Sequence, residues 1–462
     1  MGEYEEFIAG KNVRHPKTGF MVEPEDLNPN LFDWQRQVVR WSLGTGRAAL
    51  LEECGLGKSF QQLEYARKVN QRENKPILLL CPLAVQWQTM REAERFAIDS
   101  DVKIVERQGE CINGINITNY EKLDHFDPSE FVGVVLDESS ILKAYTSKTK
   151  RQLCEAFSNT QYRLACTATP APNDRMELGN HSEFLSVMPS NEMLARWFIN
   201  DGAKVGSYRL CKHGEDDFWR WMASWSMCLS SPADIGFDAS GYVLPELRTH
   251  EHIVESKPHP GCLFVGSETI SATQVHKEKR AALAERADIA ASLVNADSDY
   301  WVVWCDTDYE ADALLARIPC AVEVRGSHSA SIKTERLRSF AEGRDRVLIT
   351  KAEVAGFGLN FQHCHKTTWF AGYSYERWYQ AIRRLWRFGQ INAVDVHLIR
   401  TEREQSICDA INRKHSSHLE MAREMAKLMH AGMLEEIGLG RSLTKYNAAK
   451  RASLPSWIST KG

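Results

Sequence analysis

The chain of 462 residues is long enough for two or three domains, each with its own hydrophobic core. Hydrophobic residues make up 43% and charged residues 26%, and the formal net charge is −4, which excludes a uniformly basic protein that coats nucleic acid. The sequence shows no secretory signal, no apolar run near the ~20 residues of a membrane span and no CxxC pair among 12 cysteines, so we expect a reduced, cytoplasmic protein without a membrane anchor.

Two regions of the chain contain short aliphatic runs that alternate with helical patterns. The candidate strands are 47–53, 76–82, 114–119, 131–138 and 162–169 in the first region, and 300–306, 321–326, 346–351, 366–372 and 394–400 in the second. Continuous apolar strands with helices between them are typical of parallel sheets covered on both faces. The sequence therefore predicts an α/β protein with two parallel-sheet domains.

The segment between these regions differs in composition. DFWRWMASWSMCL (217–229) predicts a helix with Phe218, Trp221 and Trp225 on one face, which is more typical of a core than of base stacking. The end of the chain, 441–462, has five positive residues and no acid, which suits either DNA contact or mere solubility. We therefore divide the chain into a first domain (1–190, core from about 30), a helical linker or insertion (191–279), a second domain (280–430) and a basic tail (431–462).

The first motif is a glycine-rich loop in LLEECGLGKSFQQL (50–63), between an apolar strand and a helix. Small residues allow backbone N–H groups to close on phosphate oxygens, and the helix N-terminus adds a positive dipole. In such a loop Lys58 reaches the β and γ phosphates and the Ser59 hydroxyl binds Mg²⁺. The strict GxxxxGK(S/T) pattern is not met, because its first glycine position is Glu52.

The second motif is an acidic pair at the end of the apolar strand FVGVVLDESS (131–140). Two carboxylates in this position are costly unless they serve a cation or a proton transfer. We expect Asp137 to hold Mg²⁺ through its water and Glu138 to polarise the attacking water. Together with the loop, the pair predicts phosphoryl transfer from a nucleotide.

The third motif is ERWYQAIRRLWRFGQ (376–390), whose helical spacing places Gln380, Arg384 and Arg387 on one face. Taken alone, this pattern is typical of an amphipathic surface helix with a solvated basic face. Its function therefore depends on the other motifs in the chain.

In their order along the chain, ECGLGKS, DESS and TATP resemble the first three motifs of superfamily 2 helicases. The residues of these motifs most resemble those of the Swi/Snf-type DNA translocases. The resemblance extends over most of residues 31–400, through LFDWQ, LLLCPLAVQWQTMREAERF, ITNYEKL, RGSHSASIKTERLRSF, ITKAEVAGFGLNF and QAIRRLWRFGQ. It implies two tandem RecA-like domains. In the last of these segments Arg383 stands where the family usually has glycine.

The resemblance also implies roles for individual residues. Catalytic roles fall to Lys58, Asp137, Glu138, Gln380, Arg384 and Arg387. ATP contacts fall to Gln35, Gly55, Leu56, Gly57, Lys58, Ser59, Gly358 and Asn360, and Mg²⁺ contacts to Ser59 and Asp137. Nucleic-acid contacts fall to Pro82, Gln86, Trp87, Thr118, Asn119, Tyr120, Thr167, Thr169, Arg325 and Thr350.

The resemblance implies a catalytic role for the arginine face of the third motif, because an arginine from a facing domain stabilises the negative charge that develops during hydrolysis. We expect an ATP-dependent translocase or helicase that uses ATP and Mg²⁺ and moves along DNA, duplex and without sequence preference. Two alternatives are an RNA-directed motor of the same superfamily and a nucleotide-gated clamp that binds DNA or a partner without turnover. A separate partner protein, such as a nuclease or a replication factor, is a further possibility.

Overall fold

The first sheet has seven strands, all parallel, in the order β3-β4-β2-β5-β6-β1-β9. This computed structural model describes residues 15–143, 147–171, 175–200, 208–255, 279–355, 360–370 and 374–436. The strands are β1 (Arg47–Glu52), β2 (Ile77–Cys81), β3 (Val102–Ile104), β4 (Ile115–Asn119), β5 (Gly133–Asp137), β6 (Tyr162–Cys166) and β9 (Ser226–Leu229). The five central strands of this sheet that were expected from their apolar runs are buried along most of their length because helices cover both faces.

Helices surround this sheet, and together they form the first lobe. They are α1 (Asp33–Thr45), α2 (Lys58–Glu73), α3 (Gln86–Arg95), α4 (Lys148–Ala156), α5 (Leu178–Phe184) and α6 (Ser190–Trp197). α2 begins after Gly57 and ends before Asn74, and both flanking residues have left-handed backbone conformations that a right-handed helix does not contain. Since all strands are parallel, their carboxyl ends share one edge, and the predicted nucleotide motifs follow those ends.

The second sheet has six strands, also parallel, in the order β10-β15-β14-β11-β13-β12. The strands are β10 (Leu247–Val254), β11 (Trp301–Cys305), β12 (Val322–Val324), β13 (Val347–Lys351), β14 (Lys366–Phe370) and β15 (Val394–Thr401). Helices α8 (Leu283–Asn295), α9 (Asp308–Leu315), α10 (Ala330–Ala341), α11 (Ala352–Ala355) and α12 (Tyr375–Ile382) accompany them. Separate apolar clusters cover its two faces, and this sheet with its helices is the second lobe.

The segment between the two predicted domains contributes to both sheets. It contains an antiparallel pair, β7 (Phe198–Asn200) and β8 (Tyr208–Leu210), and the helix α7 (Glu215–Ala223), and it supplies β9 to the first sheet and β10 to the second. The domain limits at 190 and 280 stay a prediction.

The Trp-rich stretch is core, as expected, but it is not one helix. α7 ends at Ala223 because the following residues pair with β1 as strand β9, so the expected helix over 217–229 is wrong beyond that point. Phe218, Trp221 and Trp225 are nevertheless fully buried, and their rings contact one another in sequence, with centroids 5.7 and 5.3 Å apart.

The last described element, α13 (Gln405–Glu436), leaves the second sheet and packs on the first lobe. Its residues Met425, Met429 and Met433 are buried in the same apolar cluster as the tryptophans of α7. The two lobes are therefore joined both by the segment between them and by α13. The predicted basic tail from 437 onward lies outside the described residues, and no described helix has the length and apolarity needed to cross a membrane.

The expected α/β fold with two parallel sheets is confirmed, and all ten predicted strands are present. Several are shorter than predicted, most clearly β6 and β12, because their last residues turn away into loops at the carboxyl edge. Strands β3, β7, β8, β9 and β10 were not predicted. β10 carries Arg248, His250 and Glu251 on exposed positions of an edge strand, so its sequence lacks the continuous apolar run of a central strand.

Candidate functional site

The glycine-rich loop connects β1 to α2, and its two glycines have backbone conformations that L side chains rarely adopt. Gly55 has φ +92° and Gly57 has φ +79°. A Cβ atom at Gly55 would lie 2.9 Å from the backbone nitrogen of Phe388, which belongs to the second lobe. Gly55 is therefore required both by its φ angle and by the close approach of the opposite lobe.

Lys58 lies across this loop. Its Nζ donates to the carbonyl oxygens of Glu52, at 2.7 Å, and Glu53, at 3.0 Å. The side chain of Glu52 is fully buried and accepts a 2.9 Å hydrogen bond from Gln61, and burial raises its pKa to about 7. The acid that replaces the first glycine of the strict pattern is thus part of the interior of the loop.

The acidic pair ends β5, with Asp137 as its last residue. Asp137 accepts a 2.8 Å hydrogen bond from Gln62, and Glu138 has a left-handed backbone with φ +55°. Burial raises the pKa of both carboxyls, and the pKa of Glu138 is raised further by Asp137, whereas Lys58 and Arg384 lower both. Two acids and two cations therefore lie close together in one partly buried region.

Glu138 is held by hydroxyl and amide donors from three parts of the chain. Its Oε1 accepts from Ser140 at 3.0 Å, from Thr167 at 3.1 Å and from Gln380 Nε2 at 3.4 Å. The bond from Gln380 crosses between the lobes. The sequence-predicted base and the sequence-predicted glutamine of the last motif are thus in contact.

The arginine motif reaches the same place, although it is not one helix. α12 ends at Ile382, and residues 383–390 continue in turns because Phe361 donates to the carbonyl oxygen of Arg384 and Gly389 has φ +88°. The expectation of a continuous helix over 376–390 is therefore wrong. Arg384 still faces Gln380, since its Nη2 donates to Gln380 Oε1 at 2.8 Å.

The predicted residues of both lobes line one cavity of about 450 Å³. The first lobe contributes Lys58, Ser59, Asp137 and Glu138, and the second contributes Arg384 and Arg387. Burial and the neighbouring Arg384 lower the pKa of Arg387 to about 10. The carboxylate of Glu92 in the first lobe acts in the opposite direction and limits this lowering. The cavity has room and charge for a small anionic ligand between the lobes.

The donor set at the loop suits Mg²⁺ bound together with phosphates. Ser59 and Asp137 line the same cavity and offer a hydroxyl and a carboxylate, which are the oxygen ligands that this ion prefers. Among the described residues, no three His, Cys, Asp or Glu side chains are grouped to hold a metal by themselves. Protein sites for Mg²⁺ usually take the remaining ligands from water and substrate phosphates, so the residues fit the ion.

The other predicted ATP contacts lie at this cavity or beside it. The Gln35 amide donates to the carbonyl oxygen of Leu56 at 2.9 Å and accepts from the backbone of Phe32 at 3.1 Å, so it joins the loop to the start of α1. Asn360 lines the cavity. Gly358 lies outside the described residues.

Most of the predicted nucleic-acid residues are buried in this conformation. Thr118 and Thr350 lie inside the two sheets, where the Thr350 hydroxyl donates to Val324 at 3.0 Å, so neither side chain reaches the surface. The exposed fractions are also 9% or less for Gln86, Asn119, Tyr120, Thr167 and Thr169.

Three of the predicted nucleic-acid residues are partly exposed: Pro82, Trp87 and Arg325. The Arg325 guanidinium is paired with Asp312 and Glu323. Trp87 lies between the guanidiniums of Arg91 and Arg338, whose carbons are 4.8 and 4.6 Å from its ring centroid. All ten contacts to nucleic acid stay predictions.

Sequence reasoning missed a second group that crosses the seam. Arg383 pairs with Glu53 at 3.0 Å and donates to the carbonyl oxygen of Cys54 at 3.0 Å, and the Tyr379 hydroxyl donates to the same Glu53 carboxylate. Arg383 is 5% exposed. The only signal in the sequence was an arginine at position 383 where the family resemblance leads one to expect glycine. That signal did not indicate that Glu53 is its partner.

A family model described as SNF2-related domain matches residues 34–202. The chain is 26% identical over 175 residues to the SWI/SNF-related matrix-associated actin-dependent regulator of chromatin subfamily A-like protein 1 homolog of Caenorhabditis elegans, which covers 34% of this chain and 25% of that protein. It is 26% identical over 220 residues to Helicase SWR1 of Candida albicans, a match that covers 43% of this chain and 12% of that protein. It is 34% identical over 87 residues to Protein CHROMATIN REMODELING 8 of Arabidopsis thaliana, a match that covers 18% of this chain and 7% of that protein.

The matched regions thus span a quarter or less of the length of these relatives. A solved structure, the Sulfolobus solfataricus SWI2/SNF2 ATPase core in complex with dsDNA, aligns with 17% identity and a TM-score of 0.42 over 91% of this chain and 97% of that chain. The matched family domain contains the glycine-rich loop and the acidic pair of the cavity. Residues 34–202 of this chain are therefore similar to an SNF2-related domain.

Proposed function

We propose that the chain hydrolyses ATP in the cavity between the lobes and uses the cycle to move along duplex DNA. The observation that carries the proposal is the hydrogen bond between Gln380 and Glu138, since it joins the hydrolytic residues of both lobes. A clamp without turnover needs no such convergence of base, lysine and facing arginines.

In this proposal the phosphates lie on the glycine-rich loop and the helix N-terminus of α2. Lys58 turns from the carbonyl oxygens of Glu52 and Glu53 to the phosphates, which are stronger acceptors. Ser59 and Asp137 would hold Mg²⁺, which would supply positive charge beside the phosphate oxygens.

Glu138 positions a water molecule and takes its proton as the water oxygen bonds to the γ-phosphorus. The bond from that phosphorus to the β–γ bridging oxygen breaks, which gives ADP and phosphate. Arg384 and Arg387 face the charge that develops on the leaving and transferred groups.

The same residues couple hydrolysis to movement. ATP completes a site that is shared by two lobes and so favours their closed arrangement, whereas release of phosphate removes the shared charge. A lobe that grips DNA in one arrangement and releases it in the other shifts along the backbone with each cycle. The names of the relatives, a helicase and two chromatin proteins, favour DNA over RNA as the track.

The test compares ATP turnover with duplex DNA, single-stranded DNA, RNA and no nucleic acid. Lys58→Ala is expected to lose nucleotide binding, because the ammonium supplies charge to the phosphates. Glu138→Gln and Arg387→Ala are expected to keep binding and to lose turnover by about 10²-fold or more. Arg107→Ala, at an exposed arginine paired with Glu110 away from the cavity, is the matched control and is expected to turn over normally.

Stimulation by RNA rather than DNA would replace this proposal with an RNA motor. DNA binding that depends on nucleotide without any turnover would replace it with a clamp. Unchanged turnover in Glu138→Gln would contradict the role given to that carboxylate.

A further inference from the structure

The backbone that carries Glu138 has a conformation that is rare for a residue with a side chain. Glu138 has φ +55°, in the left-handed region, where the Cβ atom crowds the backbone. The chain then makes a short 3₁₀ turn over Ser139–Leu142. Such a backbone conformation persists only where the surrounding structure holds it, so the contacts of this turn decide where the Glu138 carboxylate lies.

The start of the turn is tied to helix α5 by a buried pair of side chains. Ser139 Oγ lies 3.1 Å from His181 Nε2, and both side chains are fully buried. Burial lowers the pKa of His181 to about 4, so the ring is neutral at neutral pH. A neutral imidazole pairs with a hydroxyl without bringing a charge into the interior.

The end of the turn is tied to the same helix. Asn180 Nδ2 donates to the carbonyl oxygen of Lys143 at 3.0 Å, and the Asn180 side chain is fully buried. α5 itself is fixed to strand β6, because Arg163 of that strand donates to the carbonyl oxygen of Phe184 at 2.6 Å. Two adjacent residues of an anchored helix therefore hold both ends of the turn that follows Glu138.

These side chains are separate from the site itself. Glu138 lines the cavity between the lobes, whereas Ser139, Asn180 and His181 are not among its lining residues. His181 therefore reaches Glu138 only through Ser139 and the backbone.

We infer that His181, together with Asn180, is a positioning residue that keeps Glu138 in the orientation needed to activate water. The inference rests on the proposed function for the role of Glu138. A general base must lie within hydrogen-bond reach of the proton that it takes, so a small displacement of its backbone lowers the rate of the chemical step. Loss of His181 is therefore expected to lower kcat and to leave nucleotide binding intact.

The first test measures kcat and KM for ATP with duplex DNA. His181→Leu fills the space without a hydrogen-bonding group, and kcat is expected to fall about tenfold while KM stays within about twofold. His181→Gln keeps an amide that pairs with Ser139, so kcat is expected to recover to within about threefold of the unaltered protein. His15→Leu, at a second buried histidine that contacts Ser224 instead of the turn, is the matched control and is expected to keep kcat.

A double-mutant cycle separates positioning from general damage. Ser139→Ala is expected to lower kcat about as much as His181→Leu, and the two changes together are expected to lower it no further, because both remove the same contact. Losses that multiply in the double variant would overturn the inference. So would an unchanged kcat in His181→Leu, or a calorimetric loss of ADP affinity as large as the loss of kcat.

Hydrogen exchange of the amides in 138–143 tests the contact without turnover. His181→Leu is expected to quicken exchange in this turn about tenfold and to leave the other strands of the first sheet unchanged. Equal exchange in His181→Leu and the unaltered protein would overturn the inference. If the unaltered protein hydrolyses no ATP, the proposed function fails, and this measurement still decides whether His181 holds the turn.

Discussion

Glu52 shows how one residue departs from a motif and is then accommodated by the fold. It ends β1 with a fully buried carboxyl, and one of its oxygens has no hydrogen-bond partner in the described part of the chain. Burial raises its pKa to about 7, and Lys58 and Gln61 limit the rise. A glycine at this position would leave the interior of the loop unfilled, so the acid provides packing at the cost of a pH-dependent stability.

The pH dependence has a defined sign. The folded protein keeps the Glu52 proton up to about pH 7, whereas the unfolded chain releases it near 4.5. The contribution of Glu52 is therefore fully present at low pH and is lost as the pH rises through about 7. Glu52→Gln, which stays neutral, is expected to match the unaltered protein near pH 4.5 and to exceed its unfolding free energy by about 3 kcal/mol near pH 8. Urea unfolding at both pH values measures this, and parallel pH profiles for the two proteins would refute it.

At the scale of elements, α13 is a long helix from the second half of the chain that packs on the first lobe. Besides its three buried methionines, it approaches α7 so closely that a Cβ atom at Gly432 would lie 2.9 Å from the Cβ of Ala223. His430 contacts the carbonyl oxygen of Asp234 at 2.6 Å. The helix thus ties the second sheet to the Trp-rich core.

Met429→Ala is expected to loosen the last turns of α13. Removing this fully buried side chain leaves a cavity against the first lobe and costs about 2–5 kcal/mol of local packing. Hydrogen exchange of the amides in 424–436 is expected to quicken, with little change in the two sheets. Leu428→Ala, at the adjacent residue that is 37% exposed, serves as the control and is expected to leave exchange unchanged. Equal exchange in both variants would show that α13 is not held by this contact.

At the scale of the whole molecule, the lobes meet through a charged seam beside the cavity. Arg383 binds Glu53 of the phosphate loop, Gln380 binds Glu138, and Arg91 pairs with Glu342 at 3.2 Å. The first two contacts are largely buried and the third is on the rim, where solvent weakens it. The buried pair is therefore the stronger constraint on opening.

Arg383→Gly restores the glycine that the family resemblance leads one to expect, and it removes the cation from Glu53. We expect the closed arrangement to lose about 1–3 kcal/mol, which lowers the ratio of closed to open molecules about 5-fold to 150-fold. Small-angle scattering without nucleotide should then give a larger radius of gyration than in the unaltered protein, and excess ADP should reduce the difference. Arg91→Ala on the rim is the control, with a smaller expected change. An unchanged radius in Arg383→Gly would mean that this pair does not hold the lobes together.

The sequence by itself determined the local chemistry and the class of fold. Parallel strands need continuous apolar runs, and a phosphate loop needs its glycines and lysine within a few consecutive residues, so both are visible in a short window. For the same reason the acidic pair after β5 was identifiable. The helical periodicity of 376–390 was misleading, because the chain is pulled into turns by contacts with residues that are near only in the fold.

Only the tertiary structure decided which groups meet in the seam. Glu138 and Gln380 are 242 residues apart, and Tyr242 lines the same cavity as Glu138 although its segment carries no motif. No local pattern encodes such pairs, since the relative position of two lobes depends on the packing of every element between them. The pairing of Arg383 with Glu53 and the docking of α13 on the first lobe belong to the same level of organisation.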